Sequence, residues 1–165
     1  MKWFALFLAA RFFANAAAAA EPLTPDGIAA AIDAQGAEAV VARLVESGDY
    51  GEVLLQIQTG AAAWVALAPK LAPGNAEIRT NEAEGLPMAL AIALPRNAPA
   101  VLAVLDRLSS GLDPMQVCGF VLDKWYIAKH PGYVERATAA VAKVSDPKLQ
   151  EIKTECLGGF GQARH

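Results

Sequence analysis

The chain has 165 residues, of which 55% are hydrophobic and 19% charged, with a formal net charge of −3. That length fits one ordinary domain, and the low charge and high apolar content exclude a disordered or nucleic-acid-tail class. Alanine accounts for 36 residues, and it is the strongest helix former.

The first twenty residues bias these figures and are judged first. Lys2 supplies a positive start, residues 3–10 form an unbroken apolar run, and residues 16–20 end in an Ala-x-Ala site before Glu21. The pattern predicts a secretory signal peptide over 1–20, cleaved from a mature chain of 21–165. A membrane anchor is the competing reading, but Arg11 and Asn15 interrupt the apolar stretch, which falls short of the roughly 20 residues of a bilayer span. Stable membrane insertion after cleavage is not expected. Cleavage after Ala16 also satisfies the small-residue rule.

Loss of Lys2 and Arg11 leaves 12 basic residues (14 minus 2) against 17 acidic ones, a net charge of −5. Such a chain does not attract phosphate backbones, so no nucleic-acid partner is expected. The charge is uneven. Residues 21–123 hold 13 acids and 5 bases, whereas 124–165 hold 4 acids and 7 bases.

Taken in chain order, the mature sequence reads as about nine short helices, near 25–34, 37–47, 50–59, 61–71, 81–94, 98–109, 114–129, 132–144 and 147–157. Strand alternation is nearly absent. Thr24-Pro25-Asp26, Asp113-Pro114 and Asp146-Pro147 each set a capping side chain before a proline at the first helical position. Asp49-x-x-Glu52 and Asp113-x-x-Gln116 have capping-box spacing. Gly36, Gly48, Gly60, Gly74, Gly111, Gly132 and Gly158 fall at or near the breaks. Pro69 and Pro87 lie inside the fourth and fifth helices, where they should kink or shorten them.

Periodicity assigns the inner faces. Tyr50, Val53, Leu54 and Ile57 form one stripe, as do Val134, Ala137, Thr138, Val141 and Val144. The fifth helix, with Leu86, Met88, Leu90, Ile92 and Leu94, has no polar side and is expected in the core. Residues 85–95 and 100–105 resemble one pair of a HEAT-type helical repeat, which implies architecture only. An all-α fold of helical hairpins follows, either an irregular bundle or a HEAT-like solenoid stack.

Cys118 and Cys156 are too far apart for a C-x-x-C redox or zinc motif, and in an exported chain they predict a disulfide. At 100° per residue, Cys118, Val121, Leu122 and Trp125 share a face of the seventh helix, and Leu149, Ile152 and Cys156 share one of the ninth. A bridge would staple 113–158 into a C-terminal helical subdomain. Phe120 and Ile127 then lie on the far face, as core or as an apolar strip for a partner. Gly158, Gly159 and Gly161 read as a helix cap and tail.

Catalytic signatures are missing: no Gly-x-Ser-x-Gly, phosphate loop or His-Glu-x-x-His occurs. No metal or cofactor is expected. His130 is the internal histidine, in an aromatic junction with Trp125, Tyr126 and Tyr133; it reads first as a cation at a helix C-terminus, with acid–base catalysis beside Asp123 as the alternative. Glu77, Glu82 and Glu84 read as a solvated helix start or an acidic binding surface. The expected function is binding of a periplasmic protein partner, in an inhibitor or immunity-type role, through the acidic stretch from Glu77 to Asp106. A small-molecule pocket lined by Trp64, Met88, Trp125 and Tyr126 is the alternative, and an envelope hydrolase using His130 the second.

Overall fold

The computed structural model describes residues 23–72, 80–105, 111–120 and 124–162, leaving out the side chains of 80–84, 120, 124, 125, 127 and 162. The fold is all-α. Its α-helices are α1 (Pro25–Gln35), α2 (Ala37–Ser47), α3 (Asp49–Gln58), α4 (Ala62–Leu71), α5 (Thr80–Val104), α6 (Lys124–Lys129), α7 (Tyr133–Ala142) and α8 (Gln150–Gln162), with a π-helical turn at Gln116–Phe120 and a 3-10 turn at Pro147–Leu149. The expected signal peptide, Gly74 and Asp106 lie outside the described residues.

The predicted caps set the boundaries. Thr24 Oγ1 accepts from the Gly27 amide at 3.1 Å, Asp113 Oδ1 from Met115 at 2.8 Å and Asp146 Oδ1 from Lys148 at 2.9 Å. Each satisfies an amide that the first helical turn leaves without a backbone partner. The capping box expected at Asp49 does not form, because Gly48 occupies the cap position. Asp49 instead accepts from the Ser47 hydroxyl at 2.7 Å.

The core is built around α5, which packs against α3, α4 and α7. Leu86, Leu90, Leu94, Val101 and Leu102 are essentially fully buried, as the missing polar side requires. The span Gly85–Val104 is long and apolar enough to cross a membrane by length and composition, but half of it is buried by its neighbours. Non-consecutive helices also touch, α1 with α4 and α5 with α7. Both predicted stripes face inward, with Val53, Ile57, Ala137 and Val141 sealed from solvent. Within the second stripe, Thr138 Oγ1 is buried without a hydrogen-bond partner.

The fifth and sixth expected helices form one span broken at Asn97, whose φ of −152° and ψ of 66° are not helical. Asn97 acts as an internal cap. Its Oδ1 accepts from the Ala100 amide at 3.2 Å, and its Nδ2 donates to the Gly60 carbonyl at 2.8 Å. Arg96 Nη1 donates to the Gln58 carbonyl at 3.1 Å. The α3–α4 turn is thereby tied to the kink. Gly60 has φ of +77°, and a Cβ there would stand 3.0 Å from Arg96 Cβ, so both backbone conformation and space favour glycine.

The seventh expected helix, 114–129, is not one regular α-helix. It opens with a short turn, passes into the π-helical turn and resumes as α6. A π turn holds more residues than 3.6, so the 100° rule used to place Cys118, Leu122 and Trp125 on one face does not apply across it. Cys118 nevertheless reaches Cys156, and the two form a disulfide with Cα atoms 5.1 Å apart. Closing this loop is worth roughly 3 to 4 kcal/mol on the chain-entropy model.

The glycines after Cys156 are also not a cap and tail. Gly158, Gly159 and Gly161 all lie within α8, which runs on to Gln162. Gly159 sits against the π turn, where a Cβ would stand 3.2 Å from Gly119 N and 3.2 Å from the Cys118 carbonyl carbon. Two backbones therefore approach closely one turn from the disulfide. A Cβ on Gly158 would meet nothing within 4 Å. Gly158→Ala should raise stability by about 0.5–1 kcal/mol through lower unfolded-state entropy and better helix propensity. Gly159→Ala should lower it by about 1–3 kcal/mol through overpacking. Urea unfolding midpoints of the oxidised variants test this; equal shifts would mean that the Gly159–Gly119 contact is unimportant.

Candidate functional site

Among the described residues, polar side chains meet aromatic rings in one place and a cavity in another. The first is the α6–α7 junction, where the sequence places Trp125, Tyr126, His130 and Tyr133. The α6 helix ends at Lys129, the Tyr133 amide donates to the His130 carbonyl at 3.1 Å, and α7 begins after Gly132. This turn brings three rings together. His130 stacks on Tyr126 with centroids 4.2 Å apart, as residues four apart on a helix are placed to do, and Tyr126 meets Tyr133 edge-on at 5.9 Å. The ladder runs inward from exposed His130 through half-buried Tyr126 to Tyr133, which is 4% exposed.

Tyr133 ends the ladder on a backbone atom. Its hydroxyl donates to the Ala91 carbonyl at 2.6 Å. In a regular helix that carbonyl would accept from the amide of residue 95, but residue 95 is proline and has no N–H. Tyr133 supplies the donor that Pro95 lacks. Burial, with a smaller contribution from the neighbouring Tyr126, pushes the Tyr133 phenol well above its ordinary value, which keeps it a neutral donor. This is a structural role rather than a reactive one.

The expected catalytic pairing of His130 with Asp123 falls outside the described residues, because Asp123 is not among them. Ser145 lies in the exposed connection beyond α7. Among the described residues no cluster of three His, Cys, Asp or Glu side chains is placed to hold a metal ion. Trp64 of α4 is half-buried and packs on the core, and Met88 of α5 is half-buried. The side chains of Glu77, Glu82, Glu84, Phe120 and Trp125 lie outside the described residues, so neither the pocket expected at Trp125 nor the acidic stretch at Glu77 is described.

The second place was not anticipated. A groove of roughly 410 Å³ opens between α1 and α2. Leu23, Ile28, Ala31, Val40 and Leu44 form its apolar lining, with Thr24, Gln35, Arg43 and Asp49 as its polar members. Ile28, Val40 and Leu44 are buried core residues and offer the groove little apolar surface. Arg43 Nη1 donates to Gln35 Oε1 at 2.8 Å, linking α2 to α1 beside the groove. The signal available in the sequence was Arg43 itself, the one base among residues 23–60, set against Asp26, Asp33, Glu38, Glu46, Asp49 and Glu52. All of those acids but half-buried Asp49 are exposed.

No protein-family model matches the chain, and no curated protein or solved structure is detectably similar to it.

Removing the Tyr133 hydroxyl orphans a buried carbonyl, so Tyr133→Phe should cost about 1–3 kcal/mol. In a Pro95→Ala background the new amide can take the Ala91 carbonyl, and the same substitution should cost below about 1 kcal/mol. Wild-type stability should also fall above pH 10, the ordinary phenol value. There the unfolded chain releases the Tyr133 proton while the folded chain retains it, giving a slope of up to about 1.4 kcal/mol per pH unit that Tyr133→Phe removes. Chemical denaturation of the four-member cycle measures the coupling, and additive losses would show that Pro95 and Tyr133 act independently.

Proposed function

We propose that the protein is exported and acts by binding, presenting the acidic helices α1–α3 to a basic surface of a periplasmic protein partner. The observation that carries this reading is the charge of those helices: six acids against Arg43 over residues 23–60, five of the acids exposed. A field of one sign steers an oppositely charged partner and speeds encounter. Asp33 is engaged by Lys70 of α4, an exposed pair that contributes little to stability. The exposed acids left for a partner are therefore Asp26, Glu38, Glu46 and Glu52. An inhibitor or immunity-type role fits a helical protein whose helices α1–α3 expose an excess of acids.

Export is supported by the signal-like residues 1–20 and by the Cys118–Cys156 disulfide, since such bonds persist in oxidising compartments. Expression of the full chain in a bacterial host should give a periplasmic product whose intact mass lacks residues 1–20 and two further hydrogens. A cytosolic product of full mass would refute export.

For the binding role, the combined variant Glu38→Lys, Glu46→Lys and Glu52→Lys should fold normally. Periplasmic extract passed over the immobilised wild-type protein at low salt should yield a basic protein that elutes as salt rises, and the variant should not retain it. Retention of the same protein by both would exclude the acidic face as the contact surface.

A further inference from the structure

We propose that the C-terminal end of α8 is a redox-operated latch. It docks on the π-helical turn while Cys118 and Cys156 are bridged, and it is released, with the core intact, when a dithiol reduces them. The latch involves none of α1–α3 and is independent of the acidic-face reading.

Little besides the bridge holds this end. Among the described positions of α8 the buried ones are Cys156, Gly159 and Phe160, with Ile152 and Leu157 half-buried. Gly159 meets the π turn backbone to backbone, at Cys118 and Gly119, and a contact between glycines removes little apolar surface from water. Gly158, Gly159 and Gly161 fall in the last five residues of the helix, and each lowers helix propensity. Thirteen residues that include three glycines do not hold a helix in water without tertiary packing. Here that packing centres on the disulfide.

The start of α8 is anchored by other means. Lys153 Nζ donates to the Ala142 and Val144 carbonyls, both at 2.8 Å, and Gln150 Nε2 donates to the Asp146 carbonyl at 2.8 Å. These bonds tie the first turn of α8 to the end of α7 and the connection after it, and reduction leaves them in place. Lys153 therefore marks the hinge, and 154–162 is the part that moves.

The core is assembled without this end. Helix α5 packs on α3, α4 and α7, whereas α8 packs chiefly on the π turn, α7 and the 3-10 turn. Tyr133 secures α7 to α5 through the Ala91 carbonyl. An element at the margin of a core opens separately from it when its own contacts are few.

Reduction is a two-electron exchange. One thiolate of the dithiol attacks a sulfur of the bridge, forms a mixed disulfide and expels the other cysteine as a thiolate, which takes up a proton. The second thiol of the reductant displaces the remaining cysteine and closes the reductant's own disulfide, so two hydrogens pass to Cys118 and Cys156. Both cysteines are buried, so attack follows fraying of the glycine-rich end. The open form presents Phe160 and two thiols.

Hydrogen exchange read by mass spectrometry tests the latch, on the oxidised protein and on the same protein reduced with dithiothreitol at neutral pH. In the reduced form, amides of 154–162 should exchange at close to the rate of an unstructured peptide. Those of 50–58 and 86–104 should stay protected by at least about a hundredfold, and reoxidation should restore protection to 154–162. The double variant Cys118→Ala, Cys156→Ala should match the reduced protein without any reductant. Residues 154–162 exchanging no faster than 86–104 after reduction overturn the latch, because the bridge is then dispensable for docking. Loss of protection throughout, α3 and α5 included, or a double variant that does not fold, overturns it as well, because the bridge then holds the whole fold.

Discussion

The hydrogen bond from Tyr133 to the Ala91 carbonyl is the contact on which the packing of this protein turns. The central helix α5 carries Pro87, Pro95 and Pro99, each of which removes a backbone donor from the element that everything else packs around. Ala91 is fully buried, so water cannot supply what Pro95 omits. A carbonyl left bare in that position would cost about as much as a large fraction of a small domain's net stability. The donor comes from α7, and the bond therefore also fixes how α7 sits on α5. From Tyr133 the same constraint runs outward through the rings of Tyr126 and His130, which sets the α6–α7 turn. On the other side of Pro95 the chain breaks at Asn97, and that break is tied to the α3–α4 turn through Gly60 and Gln58. Contacts from the stretch around Pro95 thus reach both α7 and the α3–α4 turn.

The C-terminal part is held by a different device. The π turn at Gln116–Phe120 and helix α8 meet through a disulfide and, one turn further, through the near contact of Gly119 with Gly159. Small residues let two backbones approach closely, and the covalent bond keeps them there when the apolar area between them is slight. The π segment still brings Cys118 to Cys156, and the expected pairing forms. A bond of this kind suits a chain that works outside the reducing cytosol.

The N-terminal helices α1–α3 follow from simpler rules. They are amphipathic, separated by single glycines, and packed on the core through Ile28, Val40, Leu44, Val53 and Ile57. Their outer surface is left free to carry charge, and it carries almost one sign. A single residue, Gly36, links α1 to α2, and the groove with Arg43 in its lining lies between them. The electrostatic character of the face and the shape of the groove arise from separate features, surface acids in one case and helix geometry in the other.

The sequence by itself determined the fold class, the inner faces of the helices and most of their starts. Those properties are local: a cap at Thr24 or Asp146 and a stripe such as Tyr50, Val53 and Ile57 act within a few residues and need no distant partner. It also determined the pairing of two cysteines, since only one pairing exists. Tertiary structure alone decided that the Ala91 carbonyl is met by Tyr133, that Gly159 lies against Gly119, and that Arg43 borders a groove while contacting Gln35. Each of these joins residues far apart in the chain or on different helices, and their meeting depends on helix crossing geometry that periodicity does not encode. The omission at Pro95 was legible as a missing donor four residues after Ala91. Which side chain would fill it was a question of packing.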